Sequence, residues 1–130
     1  MNWTIGALAR RAGVNIETIR YYEREGLMPP PPRSMNGRRS YASSDLKTLT
    51  FIRKARDLGF TLDDTRALLE LRGPDNDCAD VKAIALKHLE SVRAQKSRII
   101  EVERTLSDAV ASCPGGPTKD CSLLALLEES

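Results

Sequence analysis

Ile5, Leu8, Ala9 and Ala12 recur at helical spacing and Gly13 follows them, which predicts a short first helix with a glycine stop. Asn15 is a good N-cap, and Ile16, Ile19 and Tyr22 repeat in three-residue steps before Gly26, predicting a second short helix. Two short helices around a glycine-containing turn make a helix-turn-helix candidate. The run Met28-Pro29-Pro30-Pro31-Pro32 cannot continue a helix and favours extended backbone. Arg33 to Tyr41 then centres on Asn36-Gly37, a strong hairpin signal flanked by basic residues, and reads as a small basic β-wing.

Ser44-Asp45 can cap a third helix with Leu46, Leu49, Ile52 and Ala55 on one face, stopped by Gly59. Thr61-Leu62-Asp63-Asp64 opens a fourth, whose apolar side is Leu68, Leu69 and Leu71. These two helices are expected to cover the helix-turn-helix. From Cys78 to Ala111 there is no Gly or Pro, a stretch of roughly 50 Å if wholly helical. Within it Ala85, His88, Val92, Gln95, Ile99, Val102, Leu106 and Ala109 alternate three- and four-residue steps, the stripe of a coiled coil. Too little chain remains to bury such a helix, so a second copy is the economical partner and a symmetric dimer is expected. Last come a Pro- and Gly-rich loop from Cys113 to Cys121 and the apolar segment 123–127, which should fold back as a small helix.

At 130 residues the chain has room for one compact domain plus an appendage, which favours binding over catalysis. No window has the uncharged apolar length of a membrane span, and the N-terminus lacks a signal layout, so a cytoplasmic protein without membrane partners is expected. A reducing compartment disfavours disulfides, leaving burial, thiol chemistry or metal binding for the three cysteines. Net charge is +2 but unevenly placed: residues 1–60 carry eleven Arg/Lys against five Asp/Glu, and residues 61–130 carry nine against thirteen. A basic front half joined to an acidic remainder fits a polyanion-binding head with a separate partner-binding tail.

A helix entering the major groove needs exposed polar side chains near its start and a basic group that reaches phosphate or a guanine edge. Thr18, Arg20 and Tyr21 meet that requirement, while Ile19 and Tyr22 are expected to face inward. Arg38 and Arg39 beside the Asn-Gly turn place charge where phosphates are reachable. The segment Gly13 to Leu27, containing Thr18-Ile19-Arg20-Tyr21-Tyr22-Glu23-Arg24-Glu25-Gly26, resembles the recognition-helix signature of the MerR family. Arg33 through Tyr41 resembles that family's wing, and Ala55 to Asp64 resembles its third-to-fourth helix junction.

The resemblance spans essentially the whole chain. It implies a mainly α protein: a winged helix-turn-helix DNA-binding head with supporting helices over 1–74, an antiparallel coiled-coil dimerisation helix over 75–111, and a metal-binding loop with a short C-terminal helix over 112–130. Carried onto this chain, it makes Arg20, Tyr21, Arg38 and Arg39 the principal DNA contacts, with Thr18, Arg33 and Tyr41 as further candidates. A homodimer then meets double-stranded palindromic operator DNA.

Thiolates are soft donors that select Hg(II), Cd(II), Pb(II), Zn(II) or Cu(I) over magnesium and calcium. A plainer alternative is one buried small hydrophobe and two incidental loop thiols. By resemblance, Cys78 at the head of the long helix and the loop pair Cys113 and Cys121 match the three ligands of the family's divalent-metal sensors. The antiparallel dimer brings Cys78 of one chain to the loop of the other. Three thiolates without another evident donor suit trigonal binding of a large soft ion, as in the mercury regulators, which Gly13 to Thr18 also resembles, so Hg(II) leads. The loop opens Cys-Pro-Gly, closer to copper sensors, but Cu(I) and Au(I) sensors usually carry serine where this chain has Cys78. Pb(II) and Cd(II) also fit three cysteines. Zinc prefers four ligands, and His88 lies within the helix as a core or seam residue.

The family mechanism implied is that metal-free and metal-loaded dimers both hold a promoter, and the loaded form distorts an overlong spacer until RNA polymerase engages both elements. The protein would thus both repress and activate a mercuric resistance promoter. A cytosolic metal buffer is the reading from another class, against which the head argues. A thiol enzyme would need an activating base near a cysteine, and no Cys-His pairing is apparent, so no catalytic residues are assigned.

Overall fold

The computed structural model describes residues 2–30 and 40–129. The chain divides into two compact units, Met1–Ile84 and Ala85–Ser130, with the division falling inside the longest helix.

In the first unit, α1 (Ile5–Ala12) is capped by the Thr4 hydroxyl, which accepts from the Ala7 amide at 3.2 Å. It ends at Gly13, whose φ of 73° lies in the left-handed region that a side chain would disfavour. Helix α2 (Ile16–Arg24) begins three residues later under Asn15, whose carboxamide oxygen accepts from the Thr18 amide at 2.8 Å. Glu17 in its first turn and Arg24 in its last complement the helix dipole.

Helix α3 (Ser43–Asp57) starts one residue before the Ser44-Asp45 pair read as its cap. Ala42 occupies the cap position and offers no side-chain acceptor. Asp45 instead reaches back, accepting from the Ala42 amide at 2.8 Å, the acidic half of a capping box. Helix α4 (Leu62–Glu70) is capped by the Thr61 hydroxyl, which accepts from the Asp64 amide at 3.0 Å.

The apolar faces meet in one core. Leu8, Ile19, Met28, Tyr41, Leu49 and Ile52 are fully buried, and Trp3, Ile5, Val14, Ile16, Leu46, Leu62 and Leu69 pack around them. Fully burying a Leu or Ile side chain contributes about 1.5–3 kcal/mol, so these positions hold the unit together. Among the described residues Thr65 is the buried polar one, and its hydroxyl donates to the Thr61 carbonyl at 2.8 Å. Arg66 fastens α4 to the end of α2: its guanidinium donates to the Glu25 carbonyl at 2.7 Å and pairs with Asp63 at 2.9 Å.

The expected wing falls mostly outside the described residues. Its far end is described: Tyr41 forms an antiparallel bridge with Trp3 through hydrogen bonds of 2.7 and 2.9 Å. No longer strand is present among the described residues.

Helix α5 (Cys78–Ala111) is continuous over 34 residues, with the bounds that the absence of Gly and Pro predicts. Of the expected stripe, Ala85, Val92, Gln95, Ile99, Val102 and Leu106 are exposed in the single chain, His88 is half-buried and Ala109 is buried, while Leu86 and Leu89 beside the stripe are exposed as well. Within the second unit, a one-turn 3₁₀ helix (Thr118–Asp120) and α6 (Ser122–Glu128) follow α5, with α6 returning to its last turn as the apolar tail predicts. Ala109 is the buried residue of α5. Among the described residues no helix is long and apolar enough to cross a membrane.

Candidate DNA interface and thiol loop

The local sequence of α2 sorts its side chains by face. Ile19 is fully buried and Tyr22 nearly so, which leaves Arg20 and Tyr21 on the outer surface. Arg20 pairs with Glu17 at 2.9 Å, but both side chains are more than half exposed. Such a pair contributes little to stability, and the guanidinium can exchange Glu17 for an external anion. Tyr21 is 38% exposed, and the Arg24 guanidinium lies 6.0 Å from its ring centre. Thr18 is half-buried, and its hydroxyl donates to the Asn15 cap at 2.8 Å, so it serves the helix start first.

Packing adds two arginines that pattern reading passes over. Arg53 and Arg56 lie near the end of α3, where they join Asn15, Thr18, Tyr22 and Asp57 around an open cavity of about 490 Å³ beside the start of α2. Arg53 pairs with Asp57 at 3.1 Å, while its Nε atom is buried without a hydrogen-bond partner. Arg56 is exposed and donates to the Phe60 carbonyl at 2.7 Å. Two guanidinium groups against the Asp57 carboxylate leave the lining net cationic beside the start of a helix, a setting that suits phosphate. The sequence signal was their three-residue spacing, which puts both arginines near one face of α3, but nothing along the chain tied that face to α2.

The expected DNA contact at Tyr41 is corrected by burial. Its side chain is fully enclosed, and its hydroxyl donates to the Glu23 carboxylate at 2.8 Å, so it braces the head from inside. Arg33, Arg38 and Arg39 lie outside the described residues.

The three cysteines are free thiols. Cys78 is the exposed first residue of α5, following Asp77, whose carboxylate accepts from the Ala79 amide at 2.9 Å. Cys113 is exposed just after α5, and Cys121 is half-buried just before α6. The flanking serines meet: the Ser112 and Ser122 hydroxyl oxygens are 3.0 Å apart. Among the described residues, no three His, Cys, Asp or Glu side chains of one chain gather into a group able to hold a metal ion.

Two short helices joined by a turn through Gly13, with Arg20, Tyr21 and Arg24 on the outer face of the second, form a helix-turn-helix head, which places the protein in the DNA-binding class. Residues 3–71 match the MerR HTH family regulatory protein profile, and residues 46–109 match the MerR, DNA binding profile. The chain belongs to the MerR family of transcription regulators. It is 38% identical over 121 residues to the heavy metal-dependent transcription regulator 2 of Rhizobium meliloti (strain 1021), covering 92% of this chain and 82% of that protein. It is 36% identical over 128 residues to the mercuric resistance operon regulatory protein of Serratia marcescens, covering 98% of this chain and 88% of that one. Among solved structures it resembles the transcription regulator PbrR691 from Ralstonia metallidurans CH34 in complex with lead(II), at 37% identity and a TM-score of 0.81, covering 96% of this chain and 98% of that chain.

Proposed function

We propose that this protein is a cytoplasmic, metal-responsive regulator that senses a soft thiophilic ion, with Hg(II) first, and switches on a resistance promoter. The observation that carries the reading is the set of three free thiols, Cys78 at the start of α5 and Cys113 and Cys121 around the loop that follows it. Relatives named for mercuric resistance and for a lead(II) complex support it.

The exposed stripe on α5 takes a second copy of the chain. Burying each of Val92, Val102 and Leu106 contributes up to about 1.5–3 kcal/mol, and a self-complementary stripe closes as a two-fold dimer. With the helices antiparallel, Cys78 of the partner subunit joins Cys113 and Cys121 in a three-thiolate site, a donor set suited to a large soft ion. The two heads then hold palindromic operator DNA through Arg20 and Tyr21, the wing arginines Arg33, Arg38 and Arg39, and the phosphate cavity at Arg53 and Arg56.

Metal binding shifts promoter output only if coordination favours one setting of the heads over the other. Distorting the operator so that RNA polymerase engages costs several kcal/mol, which the metal-loaded dimer must offset. Transcription from the cognate promoter, measured across Hg(II), Pb(II), Cd(II), Zn(II) and Cu(I) at controlled free-ion levels, tests the reading. Hg(II) is expected to give the response at the lowest free ion. Cys113→Ser is expected to retain operator binding and lose the response, and Cys78→Ser to lose the divalent response. An undiminished Hg(II) response in Cys78→Ser would remove the cross-subunit site. Greater sensitivity to Pb(II), Cd(II) or Zn(II), or to Cu(I) in place of divalent ions, would reassign the ion and leave the class of regulator intact.

A further inference from the structure

The loop between Cys113 and Cys121 is closed at its base by side chains that are not themselves metal donors. Ser122 donates its hydroxyl proton to the Ala109 carbonyl at 2.8 Å, one of the last carbonyls of α5, which have few partners within the helix. The Ser112 oxygen lies 3.0 Å from that of Ser122 and 2.9 Å from the Asp108 carbonyl. Ser112 has one hydroxyl proton, so with Ser122 committed to Ala109 it donates either to Ser122 or to the Asp108 or Ala109 carbonyl of α5, the latter at 3.4 Å. Ala109 is 7% exposed, with the start of α6 bonded to its carbonyl. Ser112 and Ser122 are the covalent neighbours of Cys113 and Cys121, so fixing the serines limits how far apart the thiols can move.

We propose that Ser112 and Ser122 form a hydroxyl clasp that holds the Cys113–Cys121 loop closed, positioning the two thiols for capture of the ion. Its purpose rests on the metal-sensing reading above, whereas its existence does not. Preorganisation of this kind raises affinity because the loop's ordering cost is met before the ligand arrives. A hydrogen bond of ordinary strength corresponds to roughly a fivefold effect.

The test uses the full-length metal-free protein. Alkylation rates of Cys113 and Cys121 by iodoacetamide are read by mass spectrometry, and Cd(II) affinity is read by competition with a chelator. Ser122→Ala is expected to raise the Cys121 alkylation rate about fivefold and to weaken Cd(II) binding by a similar factor. Ser122→Thr, which keeps the hydroxyl, should restore both. Ser112→Ala should have a smaller effect, since the Ser122 bond to Ala109 survives, and Ser107→Ala on exposed α5 surface should have none. Unchanged alkylation and unchanged Cd(II) affinity in Ser122→Ala would overturn the clasp, as would failure of threonine to rescue. If the unaltered protein does not bind Cd(II) through its cysteines, the divalent-ion part of the sensing reading fails, and the alkylation rates still decide whether the clasp exists.

Discussion

The Tyr41 hydroxyl donates a 2.8 Å hydrogen bond to the Glu23 carboxylate, joining the far end of the expected wing segment to the last turns of α2. The two residues are 18 positions apart, and Tyr41 is also held by its backbone bridge to Trp3. Helix α2 is thus braced from the interior by the residue that pairs with Trp3. Tyr41→Phe keeps the ring and removes the O–H. It should lower the unfolding free energy by roughly 0.5–1.5 kcal/mol, read by urea denaturation, and weaken operator binding. Unchanged values on both counts would show that the bond holds nothing in place.

Arg56, at the cavity beside α2, is expected to meet a backbone phosphate rather than a base. Arg56→Ala should weaken binding to all DNA sequences alike and reduce the salt slope by about 1. Arg20→Ala should cost about 1–3 kcal/mol and act mainly on the cognate operator. Affinity measured against salt, on operator and scrambled DNA, separates the two roles.

Leu106 is 47% exposed in the single chain, so a charge there disturbs no monomer core. Leu106→Glu should therefore leave the helical content intact while shifting the protein to monomer in sedimentation at micromolar concentration. An unaltered dimer would place the seam elsewhere on α5.

Leu49 is fully buried between the helices of the head. Leu49→Ala should destabilise by about 2–5 kcal/mol through lost apolar contact and the cavity left behind, measured by chemical denaturation. A loss below 1 kcal/mol would mean that the site collapses freely.

The helices were legible along the chain because their determinants are local. Thr4, Asn15 and Thr61 cap helices through bonds spanning three residues, and apolar side chains at three- and four-residue steps mark each inner face. The same local logic marked Arg20 and Tyr21 as outward and Ile19 and Tyr22 as inward, and set the bounds of α5 through its freedom from Gly and Pro. Local pattern misplaced the start of α3, because Asp45 caps from inside the helix rather than from its edge. It also left Tyr41 on the surface, since a tyrosine beside arginines reads the same whether its ring turns out or in.

By itself the sequence determined the order of the α-helices among the described residues, the outward face of α2, and the identity and order of the thiols, because short-range hydrogen bonding and periodicity are properties of neighbours along the chain. Only the tertiary structure decided that Tyr41 faces Glu23, that Arg53 and Arg56 stand beside the start of α2, and that Ser122 reaches Ala109. Those pairings join distant stretches of chain, and side-chain packing within each unit selects them after the helices have formed.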